Sequence, residues 1–377
     1  MKLPSKLISK LKSRENSNSL RQLESSTDGI DFFSNDYLGL AKSTLIFDEA
    51  HSLTSRINDL KNGATGSRLI SGNHNVHVEL ESYLATIHQT ESALLYNSGY
   101  DANIGFFSAV PQRNDVVFYD KQIHASIRDG ICLSNAKSIS FKHNDLIDLE
   151  KKLNRTTQVE EIYIVTESVF SMDGDTPNLV ELIKLANQYN CKLIVDEAHA
   201  LGVFGLGITQ EANLENAFFA RIVTFGKGLG CHGAVILCKN DLKSYLINFS
   251  RSFIYTTALP IHAIATIKSA YTTLLSSTTE NDLLKENIIF FKSYCKTLHI
   301  NHYFTNSDSA IQSCIVNETN KVKQVATKII NAGFNVKAIL HPTVPINEER
   351  IRFCIHSFNT KVEIKQLLVT LRHCLIE

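Results

Sequence analysis

From about Asn73 to Cys238 the chain alternates helical stretches with short apolar runs: Ala93 to Tyr96, Val116 to Tyr119, Ser138 to Phe141, Ile162 to Thr166, Lys192 to Val195, Ile222 to Phe225 and Ala234 to Cys238. Apolar runs of this length suit strands buried on both faces, and helices between them are the crossovers that parallel strands need. The spacing predicts an α/β domain built on a mostly parallel sheet with helices on both faces. Ligands of such sheets bind beyond the carboxyl ends of the strands, so chemistry is expected in the residues just after each run.

Beyond Lys239 the texture changes to long helical stretches, then a strand at Ala310 to Val316, a helix over about Lys321 to Asn331, strands at Val336 to Leu340 and Arg350 to Ile355, and a closing helix from Lys361. That pattern reads as a smaller C-terminal α+β domain. The expected division is an N-terminal arm and helix over 1–45, a large domain over 46–238 and the small domain over 239–377. No repeat, low-complexity tract or Pro/Gly-rich linker interrupts the 377 residues, which favours packed domains over tethered ones.

Charge excludes several partners. Lys plus Arg and Asp plus Glu both number 38, and no basic block stands out, so neither nucleic acid nor an anionic membrane is the expected partner. The basic N-terminus spaces Leu3, Leu7, Ile8 and Leu11 at helical intervals, which predicts a short amphipathic helix rather than a signal peptide. Eight scattered cysteines without a CxxC pair read as buried reduced thiols of a cytoplasmic protein and offer no metal site; Cys231 beside His232 is a weak nucleophile candidate. His74 and His77 read as a helix N-terminal cap and a surface histidine rather than a metal pair.

Two strand ends carry the chemistry. Lys192-Leu-Ile-Val-Asp-Glu-Ala-His199 is an apolar strand that stops abruptly in two acids and a histidine, placing Asp196 where a ligand belongs. Ile222-Val-Thr-Phe-Gly-Lys-Gly-Leu-Gly230 runs into a glycine-rich turn with one lysine, Lys227. The P-loop spacing is missing there, which disfavours nucleotide hydrolysis. A lysine amine and a carboxylate at neighbouring strand ends suit pyridoxal phosphate, whose carbonyl bonds an amine and whose ring nitrogen stays protonated beside an acid. The segment Asn97-Ser-Gly-Tyr-Asp-Ala-Asn103, strand end followed by helix start, supplies backbone amides for the phosphate.

The order of motifs then resembles the α-oxoamine synthases over nearly the whole chain: Phe33-Ser-Asn-Asp-Tyr-Leu-Gly-Leu40, Gly66 to His74, Ser98-Gly-Tyr100, His124-Ala-Ser126, Thr166 to Asp175, Asp196-Glu-Ala-His199, Thr224-Phe-Gly-Lys227 and Ile254-Tyr-Thr-Thr257. The resemblance implies a fold-type-I, aminotransferase-like homodimer in which Lys227 carries pyridoxal phosphate as a Schiff base and moves the substrate α-proton. It implies that Asp196 pairs with the ring nitrogen, that His199 and Ser171 bond near the ring hydroxyl, and that His124 stacks on the ring and donates a proton. Gly99, Tyr100 and Thr224 would anchor the phosphate, with Thr256 or Thr257 reaching in from a second subunit. Arg352 would hold the amino-acid carboxylate, although Arg350 lies on the same strand face, and Asn35, Arg21 and Thr343 would contact the acyl substrate. Thr-Phe-Gly-Lys227, Phe170 to Asp175 and His341-Pro-Thr-Val-Pro345 favour, within the family, the biotin-pathway members, which join L-alanine to a pimeloyl thioester carried on coenzyme A or acyl carrier protein. Glycine- or serine-using members, and a catalytically inactive scaffold, are the alternatives.

Overall fold

The computed structural model describes residues 2–21, 23, 28–57 and 61–376. They cluster into two compact units, one of Asn35–Ser171 and Asp175–Leu284 and a smaller one of Met1–Ser34, Met172–Gly174 and Lys285–Glu377. Residues 239–284 thus cluster with the larger unit.

In the larger unit the apolar runs become the strands β1 (Ser92–Tyr96), β2 (Val116–Asp120), β3 (Lys137–Phe141), β4 (Ile162–Glu167), β5 (Lys192–Asp196), β6 (Ala220–Thr224) and β7 (Ala234–Cys238). They form one sheet in the order β1-β7-β6-β5-β4-β2-β3. β7 runs antiparallel to both of its neighbours, and every other pairing is parallel. Because side chains alternate along a strand, Val117, Val165, Ile194, Ile222 and Ile236 enter one core, whereas Val116, Phe118, Ile164 and Leu193 enter the core on the opposite face. β6 begins two residues before the apolar run that announced it. The charged Arg221 hides that start in the sequence, yet it is 2% exposed and its guanidinium donates to the carbonyl of His88.

Two helices set the site. The first, α1 (Gly99–Ala109), follows β1 and is capped by Ser98, whose Oγ accepts from the Asp101 amide at 3.1 Å. Its Phe106 and Phe107 pack into the first core. The second, α2 (Ala125–Leu133), is capped by His124. Both helices therefore start at the carboxyl ends of strands, with their N-termini at the same end of the sheet.

The smaller unit holds an antiparallel sheet of β8 (Ile311–Ile315), β9 (Lys337–Ile339) and β10 (Arg350–Cys354), with β10 central, and a two-residue parallel pairing of Ile30–Asp31 with Phe334–Asn335. The N-terminal helix spans Ser5–Asn16 and none of its residues is buried. No described helix is long and apolar enough to cross a membrane.

Ile194 lies at the centre of the large sheet with no exposed surface. Ile194→Ala leaves a cavity that β5 cannot collapse, and we expect a loss of about 2–5 kcal/mol in urea unfolding.

Candidate active site

β4 and β5 are adjacent and parallel, and their register pairs Glu167 with Asp196 at the carboxyl ends. Both side chains therefore leave the sheet on one face. Asp196 is 4% exposed; its Oδ1 accepts from the Ala198 amide and its Oδ2 from Asn103 Nδ2, each at 2.8 Å. Two donors satisfy a carboxylate that burial would otherwise penalise. Glu167 is also buried, and burial together with repulsion from Asp196 pushes its pKa up to about 8. Its Oε1 accepts from the backbone amide of His124 at 2.5 Å, which fixes the loop after β2.

Lys227 sits in the turn after β6, with its Nζ 2.8 Å from His199 Nε2. An ammonium has hydrogens and no lone pair. With Lys227 charged, His199 accepts through Nε2 and keeps its proton on Nδ1, which lies 2.7 Å from Tyr37 Oη. The Tyr37 hydroxyl donates in turn to Asn35 Oδ1 at 3.2 Å. Space around the amine was expected from its small neighbours, but Gly228 is required for another reason: a Cβ there would lie 2.3 Å from the Leu201 carbonyl, so the turn closes against backbone.

His124 is exposed as a residue, but its ring is partly enclosed, with Nδ1 2.7 Å from Ser126 Oγ. Loss of water around the ring, and then the charge of Lys227, lower its pKa. At the start of α1, a Cβ on Gly99 would fall 2.3 Å from Thr224 Oγ1, so the helix terminus and the end of β6 touch only because residue 99 lacks one. Tyr100 is exposed and its hydroxyl donates to Asp129 at 2.6 Å. Ser171 is half-buried on the loop after β4. Thr256 Oγ1 and the Thr257 carbonyl both contact Asn97 Nδ2, at 3.0 and 2.7 Å, within this chain.

The remaining expected residues lie in the smaller unit. Arg352, on β10, is 8% exposed and contacts Cys354 Sγ. Arg350 is committed elsewhere: its guanidinium pairs with Asp173 and with Glu348. Arg21 donates to Thr343 Oγ1 at 3.5 Å. Both line a cleft of about 530 Å³ whose walls also carry Lys323, Lys337, Ile330 and Leu340.

Some expectations are corrected. His74 does cap a helix, but His77 is buried, not on the surface, and its Nε2 bonds the Leu259 carbonyl at 2.9 Å. All eight cysteines are free, yet Cys132 is exposed rather than buried. Cys231 bonds backbone carbonyls and its pKa is pushed up to about 12 by burial, which removes it as a nucleophile. Tyr37, Asn103, Ser126 and Glu167 were missed as site residues although each lies inside or beside a motif already singled out.

These parts fit pyridoxal phosphate: a lysine amine, a buried carboxylate held by two donors, and a capped helix start pressed against Thr224. Residues 27–371 match the family described as Aminotransferase class I and II. The 8-amino-7-oxononanoate synthase of Emericella nidulans is 38% identical over 374 residues, covering 92% of this chain and 89% of that protein. The crystal structure of 8-amino-7-oxononanoate synthase from Francisella tularensis superposes with a TM-score of 0.77 at 29% identity, covering 92% of this chain and 97% of that one. The serine palmitoyltransferase of Sphingomonas wittichii shares the fold, with a TM-score of 0.90 at 23% identity over 99% of this chain and 98% of that one. The chain belongs to the aminotransferase class I and II family and, within it, to the α-oxoamine synthases. It is an acyltransferase whose cofactor is pyridoxal phosphate.

One clamp beside the site makes stability depend on pH. His143 Nδ1 bonds Asp120 at 2.8 Å and Nε2 bonds Asp175 at 2.9 Å. Burial pulls the ring's pKa down, but the two carboxylates outweigh it and raise it from 6.5 to about 10. A pKa raised on folding stabilises fully below the unfolded value and loses that contribution as pH rises through the folded one. The stability gap between the protein and His143→Gln, read from urea midpoints, should be widest below pH 6.5 and close as pH passes 10. A gap that widens with pH would contradict the charged clamp.

Proposed function

We propose that the protein condenses L-alanine with a pimeloyl thioester, on coenzyme A or acyl carrier protein, to give 8-amino-7-oxononanoate, carbon dioxide and the free thiol carrier. The observation that carries this reading is the cleft containing Arg21 and Thr343, where cationic groups border apolar walls. That combination suits an acyl chain ending in a carboxylate better than a plain fatty chain. The identity to the Emericella nidulans enzyme supports the same choice.

When bound, the cofactor supplies an electron sink for charge developing at the α-carbon. Lys227 would hold the cofactor and would carry the substrate α-proton; His199 Nε2, 2.8 Å from Lys227 Nζ, orients that amine. Asp196 keeps the ring nitrogen protonated. Its neighbour Glu167, with its raised pKa, stays largely neutral at pH 7 and leaves the charge to Asp196. His124 would lie against the cofactor and would serve as a hydrogen-bond donor to the condensation product. Ser171 bonds near the ring hydroxyl, and the amides of Gly99 and Tyr100 hold the phosphate with Thr224.

Arg352 is the residue for the alanine carboxylate, in a two-pronged contact. The pairing of Arg350 with Asp173 favours Arg352 for that role. Asn35, Arg21 and Thr343 meet the acyl substrate. The active form is a homodimer in the cytoplasm, with Thr256 or Thr257 completing the partner's phosphate site; the exposed Ile70 and Tyr255, 84% and 73% accessible, are apolar surface for a second copy to cover.

The purified protein should be yellow, and borohydride should bleach it while fixing a cofactor-sized mass on Lys227. Lys227→Ala should abolish turnover; a protein that takes no colour from added cofactor would promote the scaffold reading. Asp196→Asn should still fold but exchange the α-proton of alanine at least about a hundredfold more slowly, since a neutral partner no longer holds the ring proton. Among amino acids and acyl thioesters assayed by product mass, alanine with pimeloyl thioester should give the highest kcat/KM. One methyl group discriminates by only about 1–3 kcal/mol, so glycine should react slowly. If serine with palmitoyl thioester were faster, the substrate assignment would fall while the family stood.

A further inference from the structure

Two buried side chains have no part in the reaction as described, yet they join two groups that do. Asn103 lies in α1, 2% exposed, and Ser126 lies in the first turn of α2, fully buried. Asn103 Nδ2 is 2.8 Å from Asp196 Oδ2 and 3.0 Å from Ser126 Oγ. An ionised carboxylate only accepts, so the amide must turn its nitrogen toward Asp196, and the second hydrogen then falls on Ser126. Asn103 Oδ1 is left buried without a partner among the described residues. An orphan acceptor of this kind marks a side chain held for what its other end does.

Ser126 Oγ already receives a hydrogen from Asn103, and the acceptor in reach of its own hydrogen is His124 Nδ1 at 2.7 Å. The Ser126 backbone amide points at the same nitrogen from 3.3 Å. Two donors converging on Nδ1 require a lone pair there. The ring proton of His124 then sits on Nε2, because an N–H on Nδ1 would face the Ser126 backbone amide, which can only donate.

We propose that Asn103 and Ser126 are positioning residues that lock His124 as the Nε2–H tautomer and fix the Asp196 carboxylate through the same amide. His124 is thereby a neutral hydrogen-bond donor held ready at the ring face, and the acid beneath the ring nitrogen cannot rotate independently of it. The lowered pKa of His124 agrees with a neutral ring. The significance of the lock rests on the proposed roles of His124 and Asp196, whereas the lock itself is a property of the chain alone.

The test uses cofactor-free protein labelled with 15N-histidine, with His124 assigned by the signals that vanish in His124→Asn. At neutral pH the parent should show an unprotonated Nδ1 and a protonated Nε2. Ser126→Ala, which loses the hydroxyl donor at a position where alanine suits a helix, should move His124 to a mixture of tautomers, and Ser126→Thr should restore the parent pattern. A parent with its proton on Nδ1 overturns the proposal even if the alanine variant does not fold. So does an alanine variant whose tautomer is unchanged, or a threonine variant that behaves like alanine. Asn103→Leu should weaken pyridoxal phosphate binding by about tenfold or more in equilibrium dialysis, as expected for lost hydrogen bonds to a charged group; unchanged affinity would overturn the Asp196 half. A protein that never binds cofactor would defeat the functional reading and leave the tautomer result standing.

Discussion

The buried carboxylate of Asp196 is the constraint around which the larger unit is arranged. A charge at 4% exposure survives only if donors replace the water it loses, and here they are the Ala198 amide and Asn103 Nδ2. The first is local, produced by the turn after β5. The second comes from α1, so the helix whose N-terminus faces the proposed phosphate position also supports the acid. The β4–β5 register adds Glu167 alongside, and two neighbouring carboxylates do not ionise together in a dry site. Their environments separate them: Asp196 has two hydrogen-bond donors, whereas Glu167 is raised by burial and by its neighbour's charge.

The surrounding loops are tied to this pair and to one another. Glu167 accepts the amide of His124 and so holds the loop after β2. Asp120 and Asp175 grip opposite nitrogens of His143 and join the end of β2 to the chain following the Ser171 loop. Tyr37 Oη meets His199 Nδ1, so the chain before the first helices of the larger unit supports the histidine beside Lys227. Loops are usually the mobile part of an α/β fold; here side-chain hydrogen bonds restrain those that carry the chemistry, which keeps reorganisation small when charge moves.

Much of this was legible from residue order. Strand runs are hydrophobic because both faces of the sheet are covered, and the observed strands fall within about two residues of the expected ones. The start of β6 was hidden, since a buried arginine breaks the apolar pattern; the His88 carbonyl and the charge of Glu197 accommodate it. Lys227 and Asp196 stood out because each ends an apolar run, and a polar residue at that place has few structural reasons to be there. Arg350 and Arg352 were indistinguishable, being two apart on one strand; the tertiary structure adds that Arg350 pairs with Asp173.

The sequence by itself determined the strand and helix order and the polar groups that end the apolar runs, because these follow from local periodicity and from where polar residues interrupt it. The tertiary structure alone decided which donor meets which acceptor. Asn103 and Asp196 are 93 residues apart, and Tyr37 and His199 are 162 apart. A hydrogen bond needs its partners at about 3 Å and in line, and whether two distant residues satisfy that depends on the packing of helices on the sheet, which no local pattern contains.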